Sequence, residues 1–87
     1  VRIGDDVAWT QSDQRIVALD LSRPDATPLV LEGTAAFVWE EIALEGPLTV
    51  EALVENIAVA FELPSDQIRQ DVEGVIARLR EDALVDG

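Results

Sequence analysis

The sequence predicts an α+β fold, a three-stranded antiparallel sheet followed by three α-helices, and three observations carry that prediction. Apolar and polar residues alternate with period two in the first third of the chain; the period becomes helical after Thr34; and the changes of element coincide with glycine, proline or short polar runs. The 87 residues suffice for one core, because a chain of this size buries about 60% of its unfolded surface on folding.

Val7, Trp9 and Gln11 fall on one side of a first strand, about 7–11, with Ala8 and Thr10 on the other. After the polar break Ser12-Asp13-Gln14, Ile16 and Ala18 oppose Val17 and Leu19 in a second strand, about 15–20. The turn-rich Ser22-Arg23-Pro24-Asp25-Ala26-Thr27-Pro28 predicts a loop, and Leu29-Val30-Leu31 resumes a β pattern over about 28–32. Pro28 has no N–H to give a ladder and belongs at a strand end or edge, so one side of this third strand is expected to be open.

Ala35, Val38, Trp39 and Ile42 share one face of a helix over about 34–45, which Gly46-Pro47 ends. Thr49 is a suitable N-cap for a second helix, about 50–62, whose Val50, Leu53, Val54, Ile57, Ala58 and Phe61 follow the i, i+3, i+4, i+7 rule. Pro64-Ser65 starts a third, about 65–82, with Ile68, Val72, Val75, Ile76, Leu79 and Ala83 on one arc. Leu84-Val85 is an apolar tail expected to dock on the core. Trp9, Trp39 and Phe61 stand where core residues belong. Phe37 lies on the far side of the first helix from Val38 and Trp39, either packed beneath the sheet or left as a patch for a partner.

Eighteen acidic residues stand against six basic ones, for a formal charge of −12, and there is no lysine. A phosphate backbone is bound by cationic side chains, so nucleic acid is a poor partner. With neither cysteine nor histidine, the chain has no thiolate nucleophile, disulfide, imidazole base or zinc site of the usual ligands. No apolar stretch reaches membrane-spanning length and no signal peptide is visible, which leads to the expectation of a cytoplasmic protein without membrane contact. The serines lack the Asp-Ser-Leu setting of an acyl carrier protein. The carboxylates have neither the spacing of a calcium loop nor a distinguished pair for glycoside hydrolysis, and read as solvated surface. A non-catalytic protein without metal or cofactor is expected.

The third helix has the most informative pattern. Arg69, Glu73 and Arg80 line one border of its apolar arc beyond Ile76, and Asp71 and Asp82 line the other. An apolar floor with charged sides, beside a strand with an open edge, can take an extended peptide as an added strand. Backbone hydrogen bonds give affinity in that mode and flanking pockets give selectivity. A long open edge otherwise invites aggregation, which high net charge opposes.

The chain resembles the PqqD-like proteins, the precursor-peptide recognition elements of ribosomally made and post-translationally modified peptides (RiPPs). The resemblance rests on Arg15-Ile16-Val17-Ala18-Leu19-Asp20, on Leu31-Glu32-Gly33-Thr34-Ala35-Ala36-Phe37-Val38-Trp39, on Thr49-Val50-Glu51-Ala52-Leu53, and on Asp71-Val72 with Leu79 and Leu84-Val85. It implies a winged helix-turn-helix-like fold that binds the leader of a precursor peptide as an antiparallel strand, between the third strand and the third helix. On that basis Pro28, Leu29, Val30, Leu31 and Glu32 contact the leader from the strand. Arg69, Asp71, Val72, Glu73, Ile76 and Arg80 contact it from the helix. The segment Thr27-Pro28-Leu29-Val30-Leu31-Glu32-Gly33 departs from the family by lacking an aromatic residue and a terminal asparagine.

A chain of this size resembles most the B1-type protein of lasso-peptide pathways, whose partners are a B2-type leader peptidase and a cyclase. A delivery protein for a radical SAM peptide-modifying enzyme is the alternative within the family. From another class, a winged-helix DNA-binding regulator would read DNA with Arg69, Arg78 and Arg80 and lose affinity steeply with salt, whereas strand addition would be nearly indifferent to it. Aspartate at Val30 or Ile76 is expected to weaken leader binding without unfolding the chain.

Overall fold

A computed structural model describes residues 1–86. Its elements are β1 (Arg2–Ile3), β2 (Val7–Ser12), β3 (Arg15–Asp20), β4 (Leu29–Leu31), α1 (Thr34–Glu45), α2 (Val50–Phe61), α3 (Ser65–Glu81) and β5 (Val85–Asp86). The fold is α+β: β2, β3 and β4 form an antiparallel sheet in that spatial order, and the three helices follow in sequence.

The register explains the alternation. Trp9 pairs with Ala18 and Gln11 with Ile16, while Leu31 and Leu29 pair with Ile16 and Ala18 from the other side. One face therefore carries Trp9, Ile16, Ala18, Leu29 and Leu31 toward the helices, and the other carries Thr10, Val17 and Val30. Asp13 and Gln14 make the two-residue turn between β2 and β3 with φ of 51° and 65°, the left-handed pair that matches hairpin twist.

The helices bury Ala36, Val38, Trp39 and Ile42 of α1, Leu53, Val54, Ile57 and Ala58 of α2, and Ile68, Val72, Ile76 and Leu79 of α3. These join Ile16, Ala18, Leu31, Leu84 and Val85 in one core. Gly33 precedes α1 with φ 61°, in the left-handed region that favours glycine. Thr49 caps α2, its Oγ1 accepting from the Ala52 N–H at 3.0 Å. At α3 the N-cap is Pro64, without a side-chain hydrogen bond, so the Ser65 hydroxyl does not cap that helix.

Three expectations about individual residues are corrected. Trp9 is 37% exposed because it lies on the edge strand β2, with its ring edge-on to fully buried Trp39 at 6.0 Å. Phe61 is only half-buried and meets Phe37 edge-to-face at 5.0 Å, which also answers where Phe37 goes. Ala83 is exposed and lies past the end of α3 with φ 58°. The tail does dock: Leu84 and Val85 are buried, and β5 pairs antiparallel with β1, matching Val85 to Ile3.

Candidate functional site

The strand β4 is bonded to β3 on one edge, and among the described residues no strand pairs with the other. Beyond that open edge runs α3, separated from it by a cleft of about 420 Å³. Val30, Leu31, Glu32 and Ala35 line one wall; Gln70, Asp71, Gly74, Val75, Arg78 and Leu79 line the other. The apolar part is Val30, Ala35 and half-buried Val75, above buried Leu31 and Leu79.

The small residues make the room. A Cβ built on Gly74 would meet no atom of its surroundings within 4 Å, so the α3 backbone is open there to the close approach of another chain. Glu32 is drawn toward Arg15 of the neighbouring strand, 3.7 Å away. Asp71 and Arg78 place opposite charges along the helix wall, and Arg78 lies in the last turn of α3, where the helix dipole favours a cation.

The structure brings some of the sequence-predicted residues together and separates others. Val30, Leu31, Glu32 and Asp71 border the cleft. Pro28 and Leu29 lie at the start of β4 against a smaller cavity of about 100 Å³, with Asp20, Arg23, Asp82 and Leu84. Val72 and Ile76 are core residues, 0% and 2% exposed. Arg69 turns toward α2, where its guanidinium donates to both carboxylate oxygens of Glu51 at 2.6 and 2.8 Å, and Glu73 stands 4.0 Å from the same group. Arg80 is exposed on α3 and is not among the residues lining the cleft.

The physical reason lies in the helix projection. At about 100° per residue, Arg69, Glu73 and Arg80 stand on one border of the buried arc, and Asp71, Val75 and Arg78 on the other. The second border faces β4. Gly74, Val75 and Arg78 follow Asp71 at i+3, i+4 and i+7, so the sequence groups them with Asp71 on one side of the helix without saying that this side meets the strand. Ile76→Asp would bury an unpaired carboxylate and so report on folding; Val30, 47% exposed, remains suitable for a binding test.

The electrostatics of the remaining charged contacts serve the frame. Asp20 is 6% exposed and accepts from the Ser22 hydroxyl at 2.6 Å, the Ser22 N–H at 2.9 Å and Arg23 Nε at 3.2 Å. The Ser22 hydrogen bonds, with Arg23 adding to them, hold the Asp20 carboxyl below its usual range. Arg23 also donates to the Asp82 carbonyl at 3.3 Å, so this cluster ties the loop before β4 to the end of α3. The Arg69 hydrogen bonds and charge likewise lower Glu51, and Glu51 raises Arg69. Among the described residues no group of three or more acidic side chains is placed to hold a metal ion, and no helix is long and apolar enough to cross a membrane.

An open edge strand facing a helix across a cleft defines a small α+β module with one strand edge left unpaired among the described residues. The family model for coenzyme PQQ synthesis protein D (PqqD) matches residues 15–85, and the chain belongs to that family. Among solved structures it is similar to one described as TbiB1 in complex with the TbiA(beta) leader peptide, with a TM-score of 0.82, 22% sequence identity, and coverage of 100% of this chain and 96% of that one. Comparison with curated protein sequences found no match.

Proposed function

We propose that this chain is a non-catalytic recognition module that binds the leader segment of a ribosomally made precursor peptide. The leader adds to the open edge of β4 as an antiparallel strand, and its side chains enter the cleft against α3. The observation that carries the reading is the pairing of an unpartnered β4 edge with a roomy, partly apolar cleft on the same side. Edge hydrogen bonds supply affinity that depends little on sequence, and the cleft supplies selectivity. The likeness to a structure solved with a leader peptide supports the same use.

The bound leader is presented to an enzyme that acts on the precursor, a B2-type leader peptidase or another RiPP-modifying enzyme, and a lasso peptide is the product class the similarity favours. The work is done in the cytoplasm, where the precursor is made. Val30, Leu31, Glu32 and Asp71 from the sequence reading, joined by Ala35, Gly74, Val75 and Arg78, are the leader contacts. Pro28 and Leu29 contact it where the strand begins. Arg69 and Glu73 support the α2–α3 packing, and Val72 and Ile76 hold the helix in place.

Isothermal titration with a synthetic leader, taken from the short precursor reading frame beside the gene, tests this. Val30→Asp should weaken binding about tenfold or more and leave the melting temperature nearly unchanged, because Val30 is half-exposed at the open edge bordering the cleft and a carboxylate there would lose its water unpaired when the leader strand covers that edge. Wild-type affinity should change little between low and high salt, unlike that of a DNA binder. Equal leader affinity for the wild type and Val30→Asp would remove the cleft from the account.

A further inference from the structure

The charged side chains of the cleft between β4 and α3 are few and differ in what holds them. Glu32 is drawn to Arg15 at 3.7 Å. Asp71 and Arg78 also line the cleft; both are exposed, and among the described residues neither makes an ion pair or a side-chain hydrogen bond. For Arg78 this is unusual in a chain with eighteen acidic residues to six basic ones, because Arg2, Arg15, Arg23 and Arg69 each pair with a carboxylate. The cleft thus keeps one cation and one carboxylate available, at different places along its helical wall.

Arg78 follows Asp71 at i+7, which puts the two about 10 Å apart along the helix axis, the length of about three residues of extended strand. The direction of β4 past them follows from its neighbours. Pro28 and Leu29, where the strand begins, border the same small cavity as Asp82 and Leu84 at the end of α3, and Arg23 donates to the Asp82 carbonyl there. β4 therefore starts at the Arg78 end of the cleft and leaves at the Asp71 end. A strand added antiparallel to β4 runs the other way and passes Asp71 before Arg78.

We infer that the cleft reads the order of charge in the peptide it holds. The leader segment that pairs with β4 carries a basic residue for Asp71, then apolar residues against Ala35 and Val75, then an acidic residue for Arg78 about three or four positions after the basic one. The inference rests on the leader-recognition reading with antiparallel strand addition, and adds to it which leaders fit. Backbone pairing on an open edge discriminates little between sequences or registers. Opposite charges set along the helix wall supply that selection, since the reversed order would bring like charges together at both ends. Exposed pairs are weak, worth a factor of about two to five each, so they choose register and direction and leave the salt dependence of binding small.

The test is isothermal titration of the shortest binding fragment of the synthetic leader, and of a peptide in which its basic and acidic residues are exchanged. Each is titrated into the wild type and into the double variant Asp71→Arg/Arg78→Glu. Exchange leaves the net charge of the peptide and of the protein as it was, so attraction to the acidic molecule as a whole cancels. The wild type should bind the natural order about fivefold or more tightly than the exchanged one. The double variant, checked for folding by circular dichroism, should reverse that preference; the two peptides on the wild type decide the order without it. A binding fragment with no basic residue ahead of an acidic one, equal affinity for the two orders, or a preference that the folded double variant leaves unchanged would each overturn the inference while leader binding stood. A wild type that prefers the exchanged order would also overturn it, and would make the added strand parallel. Failure of the wild type to bind the leader at all would contradict the recognition reading itself and remove this inference with it.

Discussion

At Gly74 stability and recognition pull in opposite directions. Glycine inside a helix costs about 0.5–1 kcal/mol relative to alanine, and nothing in the surroundings would obstruct a methyl group there. Gly74→Ala should therefore raise the unfolding free energy by about that amount, measured by urea denaturation. The same methyl narrows the cleft, so leader affinity should fall, and Gly74→Leu should lower it further. Gly74→Ala with raised stability and unchanged affinity, followed by Gly74→Leu with unchanged affinity, would leave the glycine without a role in binding. Asp20 shows a different residue-scale effect. Its carboxyl is lowered by the Ser22 and Arg23 contacts, so its contribution to stability is present above its unfolded pKa of about 4 and is lost as pH falls through the lower folded value. Melting temperatures followed by circular dichroism from pH 6 to pH 2 should decline on the acid side, and Asp20→Asn should start lower at pH 6 and decline less. Parallel curves for the two proteins would assign the acid response to other carboxylates.

Among the elements, the β2–β3 hairpin carries visible conformational cost. Both turn residues adopt positive φ, and a non-glycine residue held in that region costs about 1 kcal/mol. Gln14→Gly should stabilise the fold by a few tenths to about 1 kcal/mol, read as a higher denaturation midpoint; a lower midpoint would mean that the Gln14 side chain makes a contact worth more than the strain. The hairpin and the helices were legible because each is long enough to show its period and has a turn or cap at its ends. The two-residue strands β1 and β5 were not, since two residues have no period and their pairing joins opposite ends of the chain. For α3 the buried stripe was legible, but the side facing β4 was not. A helical projection gives two borders and does not say which one meets the strand; that follows from Arg69 reaching Glu51 on α2, a contact between residues 18 positions apart. Trp9 was placed in the core by alternation, yet alternation gives a face and not its cover, and β2 is an edge strand.

For the whole molecule, a formal charge of −12 on 87 residues acts both on stability and on the choice of partner. Self-repulsion of that size opposes the compact state, and salt screens it over about 10 Å at 0.1 M. Raising sodium chloride from about 0.02 to 0.5 M should raise the melting temperature, and a fall would indicate that the ion pairs outweigh the repulsion. Within that acidic molecule the cleft between β4 and α3 is bordered by charges of both signs, Glu32, Asp71 and Arg78. The central claim is that a leader adds to the β4 edge, and nitrogen-labelled NMR with a synthetic leader tests it most directly. The account predicts that titration shifts the amides of Leu29, Val30, Leu31, Gly74 and Val75 and slows hydrogen exchange along β4. Shifts confined to α2 or to the β2–α1 face, with β4 exchange unchanged, would contradict it.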